Sequence, residues 1–472
     1  MNYLYVEIID KLIPVQIVDK LRGSTKIFFL DSSNRDSAIN SGLGVESIKE
    51  KSRYSYIGIN PIDEVFATVK EDSPEAILKQ FQKLFNKYKS FNVYEIDKKN
   101  SSNQRLVPQL FIALSYNFGE ALMNIENSKN DFLNMPDFYC AVCKDFWIYD
   151  HDTKKLWFMT KSDDKNLTSD DLIKRHKNLL NSNSDSNKNE TQKQNDSKTL
   201  KFNFTKDEYL KSINKIKNYI YDGHIYQVNL SQILRMQNYV NDWEIYKSIR
   251  KTNPSPFSAY FKLGEHYSIL CSSPERFLYK NGIHVYTEPI KGTRPRGKNE
   301  KEDYDNLQSL KNSIKEKAEN IMIVDLLRND LGRICNYGTV LVDSLLFVEA
   351  YASVFQLISR VSGILKPELD FTDIIRNTFP GGSITGCPKK RAMEIIAELE
   401  PNRRSFYTGS LGRIAQDMSD FDLNIIIRTI LKSGNQLQLS LGGGIVYDSH
   451  AAMEYKETID KGRAIMLGLN NS

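Results

Sequence analysis

No run of about 18 uncharged apolar residues occurs anywhere in the sequence, and without one no helix is expected to cross a membrane. The N-terminus, MNYLYVEIIDKLIP, sets acids and a lysine among its apolar residues, so it lacks the h-region of a signal peptide. Cysteine is scarce and odd in number, five in 472 residues, which suits a reducing cytoplasm rather than a disulfide framework. Cys140 and Cys143 stand close together in FYCAVCKDFWIY but have no second pair to complete a zinc site. In that strand-like setting they are expected to be buried packing residues. The six histidines form no HExxH motif, and no GxSxG elbow occurs. Zinc-dependent and serine-hydrolase chemistries therefore lack their parts. A basic block is also missing: the net charge is +5, from 64 cationic and 59 acidic residues spread along the chain. Nucleic-acid binders usually carry a concentrated basic stripe, so no nucleic-acid partner is expected. No internal repeat is evident.

What is present is the composition of a globular protein, 40% hydrophobic and 26% charged. The length allows more than one domain. The clearest break is NSNSDSNKNETQKQNDSK, Asn181 to Lys198, which has no apolar residue and is too polar to repay the entropy of ordering. It divides the chain into an N-terminal region (1–180), a linker (181–200) and a C-terminal region (201–472). Before it, KIFFLD, YSYIGI, LFIALSY and KLWFMTK read as short strands, and SPEAILKQFQKLFNKYKS as an amphipathic helix. After it, FTKDEYLKSINKIKNYIYDG has a helix start at Thr205, followed by the strand IYQVNLSQILRM. Strands HYSILCSS and IHVYTEPI lead into a loop, EPIKGTRPRG. NLQSLKNSIKEKAENIMIVDLLRNDLG reads as one long helix, LQLSLGGGIVY as a strand broken by glycines, and AAMEYKETIDKGRAIMLG as a closing helix.

Several constellations carry chemical interest. Residues 321–327, IMIVDLL, are apolar on nearly every side and are expected in the core. Glu316, Glu319 and Ile323 share one face of that helix. A carboxylate one turn from a buried block needs compensation, or else it sits at the rim in water; the pattern alone leaves both open. Glu454, Glu457 and Lys461 share a face of the last helix, where a solvated ion pair is the plainer explanation. Just upstream, Gly442, Gly443 and Gly444 remove side chains where something can approach the backbone closely and meet its N–H groups. FPGGSITGCPKKRAMEII is a glycine-rich turn opening a helix at Pro388. It is not a P-loop, because Cys387-Pro388 replaces the Lys-Ser/Thr pair. It either presents a helix N-terminus to an anion or is a plain connection. Carboxylates, glycine loops and cations together suit an anionic small molecule with a hard divalent ion.

These stretches, in this order, resemble a known family. YQVNLSQ (226–232), SSPERF (272–277), PIKGTRPRG, AENIMIVDLLRNDLGRI (318–334), FPGGSITGCPKKRAMEII, NIIIRT (424–429), GGGIV and EYKET are similar to the chorismate-utilising enzymes, in particular the large synthase subunits that make aminodeoxychorismate or anthranilate. The resemblance runs from about residue 205 to the end, and SRYSYIG (52–58) is similar to the family's N-terminal region. It implies an α+β, four-layer sandwich, with two large antiparallel sheets packed face to face and helices outside. It also implies a Mg²⁺ cofactor and a cytoplasmic enzyme. A separate glutamine amidotransferase subunit would supply ammonia, since no glutaminase elbow is present in this chain.

Residue roles follow from the same resemblance. Lysine at 291, where anthranilate and isochorismate synthases resemble one another in having alanine, points to the aminodeoxychorismate branch, with Asn320 in support. Lys291 is expected to be a covalent nucleophile, its amine neutral through burial and neighbours such as Arg294. Otherwise it only pairs with a substrate carboxylate. Glu275 is expected to be the general acid, with a raised pKa. Glu319, Glu454 and Glu457 are the implied Mg²⁺ ligands. Arg428 and Tyr407 are implied contacts to the enolpyruvyl carboxylate; Gly443, Gly444 and Lys461 an anion cradle; and Gly292 and Thr293 neighbours of the reacting ring. Gln227 replaces a water-activating lysine of isochorismate synthases, which fits a nitrogen nucleophile. Gln356 stands where the family usually has a histidine associated with pyruvate loss. FFLDSS (28–33) departs from the Leu-Leu-Glu-Ser of tryptophan-regulated relatives, so tryptophan inhibition is not expected. The rival readings are anthranilate synthase component I and an inactive scaffold.

Overall fold

The computed structural model describes residues 2–32, 45–96, 106–164, 166–182, 200–237 and 240–470. Most of the polar linker and Ser33 lie outside them.

Alternating apolar residues build a sandwich of four layers. In the strand Gln109–Leu114, Leu110, Ile112 and Leu114 face one core while Phe111 and Ala113 face another. Phe138–Asp150 splits the same way, with Cys140 and Val142 on one side and Tyr139, Ala141 and Cys143 on the other. The core shared by Phe28, Phe111, Tyr139, Phe261, Leu411 and Leu431 draws side chains from strands of both sheets, so it lies between them. The outer cores hold the helices. Pro74–Tyr88, Ile314–Ile334 and Phe371–Thr378 cover one sheet, and Pro14–Leu21, Asp242–Thr252 and Ala451–Asn470 cover the other. Period-2 alternation thus places two helix layers outside two sheet layers.

The two sheets are joined. Ladders connect 21 strands into one hydrogen-bonded network, because the long pair Tyr54–Ala67 and Phe138–Asp150 belongs to both sheets. Its one end pairs with Lys155–Lys161 and its other with Gln109–Leu114, and the register shifts between Pro61 and Asp63 where it bends. Among the described residues, pairing is antiparallel except between Asn2–Ile8 and Asn92–Glu95. Strands from either side of the linker interleave: Lys26–Asp31 pairs with Phe257–Leu263, and Gln109–Leu114 with Ser410–Ala415.

Five expectations need correction. The long helix is two, Glu300–Asn312 and Ile314–Ile334, because extended Ser313 ends the first and caps the second, its hydroxyl accepting from Glu316 N–H. The stretch 321–327 is buried only on one side; Ile321 is 48% exposed while Ile323, Val324 and Leu327 are buried. EPIKGTRPRG is not a loop throughout: Ile290–Pro295 is a strand against Val354–Ile364. The three glycines do not break their strand. Gln436–Ile445 stays in register through Gly442↔Ser231, Gly443↔Leu230 and Gly444↔Asn229. Pro388 caps the helix Lys389–Leu399 rather than opening it from within. The helix starts at Thr205 as expected, through a capping box with Glu208, and Cys140 and Cys143 are buried free thiols.

Candidate active site

Glu275 and Lys291 reach the same turn. Glu275 lies between the strands Tyr267–Ser273 and Arg276–Asn281; its N–H donates to Ser273 Oγ at 3.2 Å, and its carbonyl accepts from Ile425 N–H at 3.0 Å. The side chain is only 4% exposed, and Oε1 accepts from the Ser383 hydroxyl at 2.6 Å. Lys291 Nζ donates to the Ser383 carbonyl at 2.9 Å. Burial pushes the Glu275 carboxyl up, and Lys291, the Ser383 hydroxyl, the Ile290 N–H and Arg428 pull it back without cancelling the rise. That is the direction expected of a general acid.

The turn Gly382–Ile384 can sit there because of its glycines. A Cβ on Gly382 would lie 2.7 Å from Leu326 Cδ2, and one on Gly381 2.7 Å from Ile425 Cδ1. The sequence singled out this glycine-rich stretch, but not the serine that meets both reactive side chains.

A second cluster gathers over the glycine strand. A Cβ at Gly443 would stand 3.6 Å from Lys461 Nζ, 3.7 Å from Glu454 Oε2 and 3.9 Å from Glu457 Oε1, so three charged heads converge on bare backbone. Lys461 pairs with Glu457 at 2.7 Å and donates to the Gly442 carbonyl at 3.2 Å. Gly442 and Gly444 look the other way along the pleat. Tyr407 Oη and Asn229 Oδ1 each lie 2.8 Å from where a Gly442 Cβ would be, and the Gln227 amide covers Gly444. The expected cradle is therefore divided, with Gly443 beside Lys461 and Gly444 beside Gln227.

Glu319 faces this cluster from the helix Ile314–Ile334, and Lys315 stands 3.8 Å from Glu319 and 3.9 Å from Glu454. Burial raises the Glu319 carboxyl against the pull of Lys291 and Lys315, and Glu316 and Glu454 add to the rise. Burial also raises Glu454, opposed by the Ser449 hydroxyl and reinforced by Glu457. In half-exposed Glu457, desolvation is outweighed by Lys461 and the carboxyl is lowered. Among the described residues no three acid, histidine or cysteine heads close into a metal cage. The three carboxylates crowd one another, however, and cations answer them. That donor chemistry fits an open, oxygen-ligated Mg²⁺ site completed by water.

Arg428 has a left-handed backbone, φ 51°, which is costly for a residue other than glycine. No hydrogen bond or ion pair engages its guanidinium among the described residues, and desolvation lowers it despite Glu275. It lines a cavity of about 20 Å³ with Pro274, Tyr351 and Gln356. Gln356 Oε1 and Gln227 Oε1 are buried without a hydrogen-bond partner. Tyr407 is buried, which raises its hydroxyl. Gly292 and Thr293, the implied ring neighbours, directly follow Lys291 on its strand. Gly292, at φ +90°, turns its bare side to Leu310 and Glu316, and Thr293 is exposed opposite Gln356. Arg294 pairs with Glu316 at 3.2 Å rather than turning to Lys291. Lys315 and Asn229 were not foreseen, since neither belongs to a glycine turn or a carboxylate pair.

Residues 43–467 match the family model described as chorismate binding enzyme, and the chain belongs to that family. It is 39% identical over 360 residues to a Bacillus subtilis protein named aminodeoxychorismate synthase component 1, covering 76% of each chain. A Synechocystis protein named anthranilate synthase component I-like is 40% identical over 358 residues, 75% of this chain and 71% of its own. Among solved structures, anthranilate synthase component I from Streptococcus pneumoniae superimposes with a TM-score of 0.71 at 27% identity, covering 88% of this chain and 92% of that one.

Proposed function

We propose that this chain is the large component of an aminodeoxychorismate synthase, a cytoplasmic transferase that converts chorismate and ammonia to 4-amino-4-deoxychorismate. The observation that carries the reading is Lys291 Nζ and the Glu275 carboxyl meeting on Ser383, with the acid biased toward its protonated form. The Bacillus subtilis relative bears the same name.

The geometry suits a double displacement. The Lys291 amine adds through its lone pair to C2 of chorismate, both ring double bonds shift, and the C4–O bond breaks. Glu275 gives its proton to the departing hydroxyl, which leaves as water. Ammonia then adds at C4, the double bonds return, and the C2–N bond breaks to release Lys291. A proton from the incoming nitrogen restores Glu275. Splitting one poor displacement into two is the ordinary gain of covalent catalysis. Arg428 and Tyr407 would hold the enolpyruvyl carboxylate, with Lys461 and the Gly443 backbone beside the second carboxylate. Glu319, Glu454 and Glu457 would hold Mg²⁺, which when bound supplies positive charge against the ring carboxylate. Ammonia would come from a separate glutamine amidotransferase subunit.

The test is purified chain with chorismate, Mg²⁺ and ammonium, products resolved by chromatography. Lys291→Ala should lose turnover by about 10²-fold or more; an unchanged rate would eliminate the covalent route. The second reading is anthranilate synthase component I, favoured by the Synechocystis name and the superimposed structure. Anthranilate fluoresces and forms without a separate lyase, so a fluorescence trace separates the two.

A further inference from the structure

Among the described residues, Ser383 is the one with hydrogen bonds to both reactive side chains. Its hydroxyl donates to Glu275 Oε1 and its carbonyl accepts from Lys291 Nζ, from a turn that is itself buried. We infer that Ser383 is a positioning residue: its hydroxyl reserves Oε1 of Glu275, so the acid proton resides on Oε2, while its carbonyl fixes the amine against the same three-residue turn. A carboxylic acid has one oxygen that accepts and one that carries hydrogen. With Oε1 engaged by a donor, Oε2 is the oxygen left to protonate a departing hydroxyl. Once that proton has gone, the same Ser383 bond becomes charge-assisted and steadies the carboxylate.

The turn is braced for this. Thr385 Oγ1 lies 3.2 Å from the Gly381 carbonyl and 3.3 Å from the Gly382 carbonyl, and glycines 381 and 382 bring the backbone under Leu326 and Ile425. Lys291 and Arg428 are the charged groups that act on Glu275, and both favour its ionised form, as do the serine hydroxyl and the Ile290 N–H. Losing the hydroxyl alone should therefore leave Glu275 protonated to higher pH, while the backbone contact to Lys291 survives.

This inference rests on the chorismate reading, and its test separates the two. Ser383→Ala and Ser383→Thr are compared with the unaltered chain in ammonium-dependent turnover across pH. Ser383→Ala should lower kcat roughly 10- to 100-fold, the worth of one hydrogen bond to a charged partner. It should also move the high-pH limb, on which Glu275 deprotonates, upward. Ser383→Thr keeps the hydroxyl and should restore both. A second measurement needs no turnover: infrared difference titration of the Glu275 carboxyl, assigned against Glu275→Gln, should show the same upward displacement in Ser383→Ala. An unmoved infrared titration, or a threonine variant as impaired as the alanine one, would overturn the role of Ser383. If the unaltered chain makes no aminated product while the infrared titration moves as expected, the chorismate reading fails and the Ser383–Glu275 coupling stands.

Discussion

Glu275 and Arg276 are neighbours in sequence, yet they enter two buried charge clusters of opposite character. Arg276 joins Glu288 at 3.0 Å and Asp422 at 3.0 Å, in a network completed by Arg360–Glu288 at 2.7 Å and Lys51–Glu349 at 2.8 Å. There every charge has an opposite within reach. Burial alone would raise Glu288, but Lys51, Arg276 and Arg360 drive it down to about 2. Glu275, about as deeply buried, is raised because its cations do not offset desolvation. Arg428 has no ion-pair partner among the described residues. Matched charges build the scaffold; unmatched ones await a ligand.

The sharpest test of that contrast is Glu288→Gln. Removing one anion takes a partner from Lys51, Arg276 and Arg360 and leaves them Glu349, Asp422 and Glu50, and breaking such a buried set should cost about 3–5 kcal/mol in urea unfolding. The sign with pH follows. Glu288 ionises at about 2 when folded and near the ordinary 4.5 when unfolded, so its contribution is complete above 4.5 and is lost as pH falls toward 2. The variant should flatten that acid limb. Glu275 works in reverse: its raised folded value costs stability as pH climbs through it, and Glu275→Gln should relieve that cost. Destabilisation by Glu275→Gln as large as that by Glu288→Gln would erase the distinction.

Arg428→Met should separate stability from binding. It removes an unpaired, partly desolvated cation, so the melting temperature should hold or rise, while KM for chorismate rises roughly 10- to 100-fold. A fall in stability like that of a network arginine would break the comparison. The smallest effect is expected at Gly443→Ala. Its Cβ would meet Lys461, Glu454 and Glu457 at ordinary contact distances, so the fold should tolerate it and KM should rise only a few-fold. In the network, by contrast, a Cβ on Gly412 would run into the Asp422 carbonyl oxygen, and Gly412→Ala should fail to fold.

Local signals in the sequence foretold most elements. The strand KIFFLD, the capped helix from Thr205 and the burial of both close cysteines follow from alternation, capping chemistry and polarity. The break at Ser313 was less visible, because a serine within a helical period reads as part of the helix until its backbone turns extended. The strand Ile290–Pro295 hid behind its glycine and proline, since its pairing with Val354–Ile364 is non-local. At the site, residue types marked Glu275, Lys291 and the glycine strand. The meeting of Ser383 with both reactive groups depends on three segments far apart in the chain, and no spacing encodes it.

The long strand pair Tyr54–Ala67 and Phe138–Asp150, common to both sheets, also bears on how the molecule is made. On the ribosome, the first strands emerge with hydrogen-bonding edges whose partners, Phe257–Leu263 and Ser410–Ala415, have yet to be synthesised. Such edges invite pairing with a neighbouring chain until the last strands arrive. Production of this protein should therefore benefit from slow translation and chaperones more than from any single stabilising substitution.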